Sequence, residues 1–204
     1  MVEGDIQVKV SIYVCVYNQE DLLQRALDSI PKRTDIEVVI VNDGSTDGTI
    51  DICKKYAKEN PNCVLINLTE NVGLGRAKNF AYDTASGDYL YELDSDDYLI
   101  TDQFERAMNE LDGTDMVFVN LLTNDGTVFR LDEEHKHGYC AGMTKFIKRT
   151  FLGDTRCQDL RWGEDWFLNE ELLKKPHTEK FTNITCYRYN FPRKGSLYDQ
   201  MVNG

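Results

Sequence analysis

VKVSIYVCVYNQEDLLQRALDSIP, residues 8–31, is the stretch that decides the fold class. Residues 8–17 are rich in β-branched and aromatic side chains, the composition of a buried strand, and they stop at Asn18, a residue type suited to capping a helix. Leu22, Leu23, Ala26, Leu27 and Ile30 then recur at helical spacing, and Pro31 closes the helix. The same alternation continues outward. IEVVIV (36–41) is a second strand ending in the turn cluster NDGSTDG, where Thr46 or Asp47 can cap a helix carrying Ile50, Cys53, Tyr56 and Ala57 on one side. CVLINL (63–68) is a third strand, a helix follows over 74–85, and a fourth strand over 89–93. Strand and helix alternating in this way predict a Rossmann-like, largely parallel α/β sheet with helices on both faces, which binds ligands beyond the carboxyl ends of its strands.

The second half is patterned differently. After a helix over 102–111, MVFVNLL (116–122), the turn at Asn124-Asp125-Gly126 and VFRL predict a small antiparallel extension. Residues 132–142 are polar and read as a loop; residues 143–152 are mixed. WGEDW follows, where Glu164 and Asp165 open a helix running to about Lys174, and CYRYNF (186–191) is a last strand before a polar tail. No internal repeat or low-complexity linker interrupts the chain, and 204 residues are expected to form a single domain, 1–204.

Hydrophobic residues at 41%, aromatics at 11% and charged residues at 28% describe a soluble domain able to bury a core. The net charge of −12 repels polyanions, so no nucleic-acid partner is expected. No apolar run approaches the roughly 18 residues of a membrane span, and the opening Met-Val-Glu-Gly-Asp lacks a secretory pattern, which points to a cytoplasmic location without a transmembrane segment. Six cysteines (15, 53, 63, 140, 157 and 186) contain no Cys-x-x-Cys pair, against both a zinc site and a disulfide framework. Cys15 and Cys53 sit in apolar patterns as small hydrophobes. His135 and His137 alternate in a polar stretch and read as a solvent-facing loop.

Acidic and small residues collect at the strand ends: Asn18, Asp43-Gly44-Ser45 and Asp94-Ser95-Asp96-Asp97. Asp43 on its turn can accept the N3–H of uracil, or equally the N1–H of guanine, but not cytosine, which offers an acceptor there. Asp94 and Asp96 at the end of a short strand suit a hard cation, Mg2+ or Mn2+, already bridged by a diphosphate. Plain loop and capping chemistry would use the same residue types.

Together, residues 10–30, 38–49 (VVIVNDGSTDGT), 71–97 (NVGLGRAKNFAYDTASGDYLYELDSDD) and GEDW at 163–166 resemble the family 2 inverting glycosyltransferases of GT-A fold. The resemblance spans about 8–175. It implies that residues 8–100 bind a nucleotide sugar and 101–204 the acceptor. It implies nucleotide contacts at Cys15, Tyr17, Asn18, Asp43, Gly73, Arg76, Lys78 and Ser95, metal contacts at Asp94 and Asp96, and a general base at Asp165. Lys78 stands where the family has arginine, which removes a planar fork that Arg76 can partly replace. Val16 stands where the family often has proline, and the tail reads Arg193-Lys194-Gly195-Ser196 where relatives often carry a histidine, so Arg193 or Lys194 is expected to neutralise the diphosphate. Glu164 and Trp166 fall at the diphosphate or acceptor side, with Trp162 and Trp166 flanking the Glu-Asp pair.

The resemblance therefore implies metal-dependent transfer of one sugar from a nucleotide-sugar donor, a UDP-sugar, to a hydroxyl on a sugar, lipid-linked, protein or small-molecule acceptor. The chain has only about 40 residues beyond the Glu-Asp pair, little material for a processive channel. A nucleotidyltransferase would carry a glycine-rich basic loop after the first strand, where this chain has the acidic VYNQED. A non-catalytic nucleotide-sugar-binding subunit is the other alternative, and intact Asp43, Asp96 and Asp165 argue against it.

Overall fold

The computed structural model describes residues 8–135, 141–160 and 163–193. The chain passes through β1 (Val10–Val16), α1 (Leu23–Asp28), β2 (Ile36–Asn42), α2 (Thr49–Glu59), β3 (Cys63–Asn67), α3 (Leu74–Thr84) and β4 (Tyr89–Glu92). These four strands run parallel, β1 between β2 and β4 and β3 outside β2. β2 is buried along its whole length and β1 nearly so, which is why both are mostly apolar, with Ser11, Glu37 and Asn42 as buried polar exceptions, rather than alternating.

The chain continues through β5 (Tyr98–Leu99), α4 (Thr101–Met108), β6 (Met116–Thr123), β7 (Val128–Phe129), a 3-10 turn at Gly142–Thr144, β8 (Lys145–Lys148), α5 (Arg149–Leu152), α6 (Glu164–Leu173) and β9 (Glu179–Tyr189). The sheet order is β3-β2-β1-β4-β8-β6-β9-β5, with β7 on β6 as the expected hairpin. The extension is more than that hairpin. β8 lies antiparallel between β4 and β6, and β9 runs parallel to β6 and antiparallel to β5.

Strand alternation divides the core in two. Val10, Ile12, Val14 and Val16 face one side, where they share a core with Leu23, Ala26 and Leu27 of α1, Cys53 of α2 and Phe104 of α4. Tyr13, Val39 and Val41 face the other, sharing a core with Ala77, Ala81 and Tyr82 of α3 and Leu168 and Leu172 of α6. Phe104 is fully buried, so truncating it to alanine is worth about 3–5 kcal/mol.

The chain leaves β1 toward β2 but leaves β4 toward the opposite half of the sheet, which places the topological switch at the carboxyl ends of β1 and β4. Among the described residues, no helix is long and apolar enough to cross a membrane.

Candidate active site

The loops at that edge are tied to one another by side chains. Asn18, with a φ of 51°, does not cap α1; the residue before that helix is Leu22, without a side-chain cap. Its Oδ1 instead accepts the Thr46 N–H at 2.8 Å, while its own N–H donates to Ser45 Oγ at 3.0 Å. Glu20 Oε2 accepts the Gly48 N–H at 2.6 Å, and Asp47 Oδ1 accepts the Thr49 N–H at 3.0 Å from the position before Gly48, the N-cap of α2, which has no side-chain cap. The loops after β1 and β2 thus form one wall, beside which Tyr17 is 45% exposed.

Asp43 is not on an open turn, as its sequence context suggests, but 3% exposed. Its two carboxylate oxygens accept the N–H groups of Val72 at 2.7 Å and Gly73 at 3.1 Å, so it organises the loop leading into α3. Gly44, at φ 67°, allows the close approach this needs, since a Cβ there would lie 2.3 Å from the Glu70 backbone. Each Asp43 oxygen retains a further lone pair.

After β4 the acidic residues separate into roles. Asp97 is an anchor: Oδ2 accepts Tyr187 Oη at 2.7 Å and Oδ1 the Asn190 N–H at 2.7 Å, which ties this loop to β9 and the residue beyond it. Burial, with Asp96 adding, pushes its carboxyl up to about 7. Asp94 is driven well above the ordinary carboxylate range by burial and by the charges of Glu92, Asp97 and Asp96. Asp96 Oδ2 accepts Nε and Nη2 of Arg193 at 2.9 and 2.6 Å, and its carbonyl accepts Nη2 of Arg25 at 2.7 Å. Ser95 between them is buried.

This donor set fits a hard divalent cation that arrives with its own oxygen ligands. Two carboxylates, Asp94 and Asp96, could supply ligands once Arg193 leaves Asp96, and among the described residues no group of three or more His, Cys, Asp or Glu side chains could hold a metal alone.

Lys78 lies elsewhere than expected. Rather than reaching toward a nucleotide, it is 1% exposed, and Nζ meets Glu92 Oε1 at 2.7 Å, Glu164 Oε1 at 3.0 Å and Asp165 Oδ1. An ammonium has three N–H donors, and three carboxylates take them. Burial opposes its charge, but Asp165, Glu92 and Glu164 outweigh burial and hold it well above the ordinary lysine range. Asp165, in the first turn of α6, also accepts the Gly142 N–H on Oδ2 at 3.3 Å. Its side chain is 24% exposed, the most accessible of the three carboxylates.

Cys15, at the end of β1, marks where these groups converge. Burial raises its thiol well above the usual value; Glu92, Asp94 and Asp43 push it the same way and Lys78 pulls it down. Arg76 stands apart in an exposed pair with Asp159 at 2.5 Å. Trp166 is 48% exposed, its ring edge-on to Phe167 at 4.8 Å. Lys194, His137, Cys140 and Trp162 lie outside the described residues.

Glu92, a buried member of this cluster, went unremarked in the sequence reading, yet a signal existed. Leu90 and Glu92 share one face of β4, and Lys78 lies in the same helical stripe as Ala77 and Ala81, so both charges had to be buried and to need partners.

The family model described as Glycosyl transferase family 2 matches residues 11–173. The curated protein Putative glycosyltransferase EpsH of Bacillus subtilis (strain 168) is 32% identical over 193 residues, covering 92% of this chain and 52% of its own length. The crystal structure of S. aureus TarS 1-349 in complex with UDP-GlcNAc superposes with a TM-score of 0.79 at 24% identity, over 94% of this chain and 61% of that one. The mannosyltransferase PcManGT from Pyrobaculum calidifontis, in complex with GDP-Man and Mn2+, superposes with a TM-score of 0.72 at 20% identity, over 94% of this chain and 59% of that one. The two structural likenesses show the fold, a GT-A sheet. The chain spans about half the length of EpsH.

Proposed function

The chain belongs to glycosyl transferase family 2, and from that membership we propose that it transfers a single sugar from a UDP-sugar to an acceptor hydroxyl with inversion, using a divalent cation. The observation that carries this reading is the grouping at the β1/β4 switch: Asp43 follows β2, Asp94 and Asp96 follow β4, and Asp165 is tied to Glu92 of β4 through the Lys78 ammonium.

Asp165 takes the proton of the acceptor hydroxyl as its oxygen attacks the anomeric carbon from the face opposite the diphosphate. The bond from that carbon to the diphosphate breaks and its electron pair leaves with the nucleotide, so one base suffices. Asp94 and Asp96 are the residues that would hold a divalent cation, which when bound would supply positive charge to offset that of the departing diphosphate. Lys78 keeps Asp165 in place from below, and Trp166 offers an exposed ring to an acceptor sugar. Arg193, on Asp96 in the present arrangement, can turn to the diphosphate, with Lys194 following on the same segment. The free lone pairs of Asp43 accept uracil N3–H. Guanine N1–H would satisfy them as well, so the choice of uracil is the part for the donor assay to test.

The assay is incubation with UDP-glucose, UDP-GlcNAc and GDP-mannose in Mn2+, followed by mass spectrometry. Consumption of a UDP-sugar, abolished by EDTA and restored by Mn2+, is the expected result. Binding without turnover of any donor would contradict the enzymatic reading, and full activity in EDTA after exhaustive dialysis would remove the metal.

A further inference from the structure

Beneath Asp165 lies a buried charge arrangement that the transfer reaction does not by itself require. Glu92 approaches Lys78 from the sheet side: Oε1 meets Nζ at 2.7 Å, and Oε2 accepts the Tyr13 hydroxyl at 2.9 Å. It is 4% exposed. The turn at Gly142–Thr144 closes over both carboxylates. The Gly142 N–H donates to Asp165, and a Cβ at position 142 would fall 1.6 Å from Glu92 Oε2. Glycine there lets one backbone amide reach Asp165 while Glu92 stays on Lys78.

We infer that Glu92 is a positioning residue for the transfer step: by sharing the Lys78 ammonium, it leaves Asp165 fixed in place yet still an effective proton acceptor. A carboxylate whose charge is wholly offset by one adjacent cation accepts a proton poorly, because protonation would forfeit that ion pair. Dividing the cation among Glu92, Glu164 and Asp165 keeps the geometry while weakening the pairing with each. The other groups acting electrostatically on this centre are Tyr13 and Cys15 from β1, Tyr82 from α3, Asp94 and Cys157, and burial disfavours the charge of each; burial and Asp165 also push Glu92 up to about 7, and its ion pair with Lys78 at 2.7 Å works against them. The inference rests on Asp165 being the base.

The test compares Glu92→Gln with Glu92→Asp in the full chain, using UDP-GlcNAc and Mn2+ and following UDP release. Glutamine keeps shape and hydrogen-bonding reach but loses the charge; aspartate keeps the charge but shortens the reach. The expected order of kcat is parent, then Glu92→Asp, then Glu92→Gln, with glutamine about tenfold down and donor KM unchanged. A merely structural role predicts that glutamine does at least as well as aspartate, and that order, or a KM rising in step with the loss, overturns the inference.

A second readout needs neither donor nor acceptor. In protein labelled with 15N-lysine, the Lys78 ammonium should give a signal protected from water exchange, which shifts and exchanges faster in Glu92→Gln, or in Glu92→Asp should glutamine fail to fold. An unchanged Lys78 signal overturns the inference. An Asp165→Asn enzyme that keeps its rate instead overturns the base assignment, and the lysine spectrum still reports whether Glu92 shares the cation.

Discussion

Replacing Lys78 by methionine keeps most of the side-chain volume and removes the one cation among three carboxylates. In the native protein Nζ is 2.7 Å from Glu92 and 3.0 Å from Glu164, and these residues are 4% and 7% exposed. Without the ammonium, both carboxylates must take up a proton or stay buried and uncompensated. Each buried acceptor left unsatisfied costs about 1–3 kcal/mol, and removing one partner of a buried ion pair about 3–5 kcal/mol, so the expected loss is about 4 kcal/mol. For a domain of this size that corresponds to a melting temperature lower by about 8–16 °C. Urea denaturation of Lys78→Met against the parent measures it, and the double variant Lys78→Met/Glu92→Leu should recover part of the loss, because it removes an orphaned carboxylate along with the cation. A loss under about 1 kcal/mol, or no recovery in the double variant, would refute the argument that this charge cluster supports the fold.

Three further outcomes are expected. Asp43→Asn leaves one of the Val72 and Gly73 amides without an acceptor, so both should exchange hydrogen faster by mass spectrometry and stability should fall by about 1–3 kcal/mol, alongside weaker UDP binding by calorimetry. Arg193→Gln frees the Asp96 carboxylate and should tighten Mn2+ binding without nucleotide a few-fold, as read by electron paramagnetic resonance; unchanged binding would show that the guanidinium does not compete there. Burial alone would raise the Glu37 carboxyl, but donors from Ser11 and Ser86 outweigh it and hold it below its ordinary value. Because the native pKa is the lower one, this stabilisation is present above the unfolded value of about 4.3 and disappears as pH falls through the native value, so Glu37→Gln should cost about 1–2 kcal/mol at neutral pH and nothing near pH 2 by thermal melting.

The first hundred residues disclose their fold because the central parallel strands are buried on both faces, leaving β1 and β2 as largely apolar runs broken only by Ser11, Glu37 and Asn42. β8 is hidden for the opposite reason: four residues with lysine at each end show neither alternation nor an apolar run, and the strand exists through pairing with β4 and β6. β9 begins seven residues before the expected start at 186, because its Glu179–Ile184 portion is only partly buried and reads as polar. The acidic residues of the site are legible as types and places but not in their engagements. Asp43 resembles an exposed turn residue until the Val72 and Gly73 amides are seen to converge on it from a segment nearly 30 positions away. Lys78 resembles an anion contact until burial shows it facing inward. Long-range pairing of this kind leaves only an indirect trace in sequence, a charge inside an apolar stripe.

The account stands most directly on Asp165. Asp165→Asn preserves the shape of the side chain and removes the proton acceptor, so calorimetry should find the donor bound within about twofold of the parent affinity while single-turnover transfer slows by roughly 10² to 10⁴. Glu164→Gln, one position earlier on the same Lys78 ammonium, should slow it less. An Asp165→Asn enzyme that retains most of its rate would contradict the claim that this carboxylate is the base.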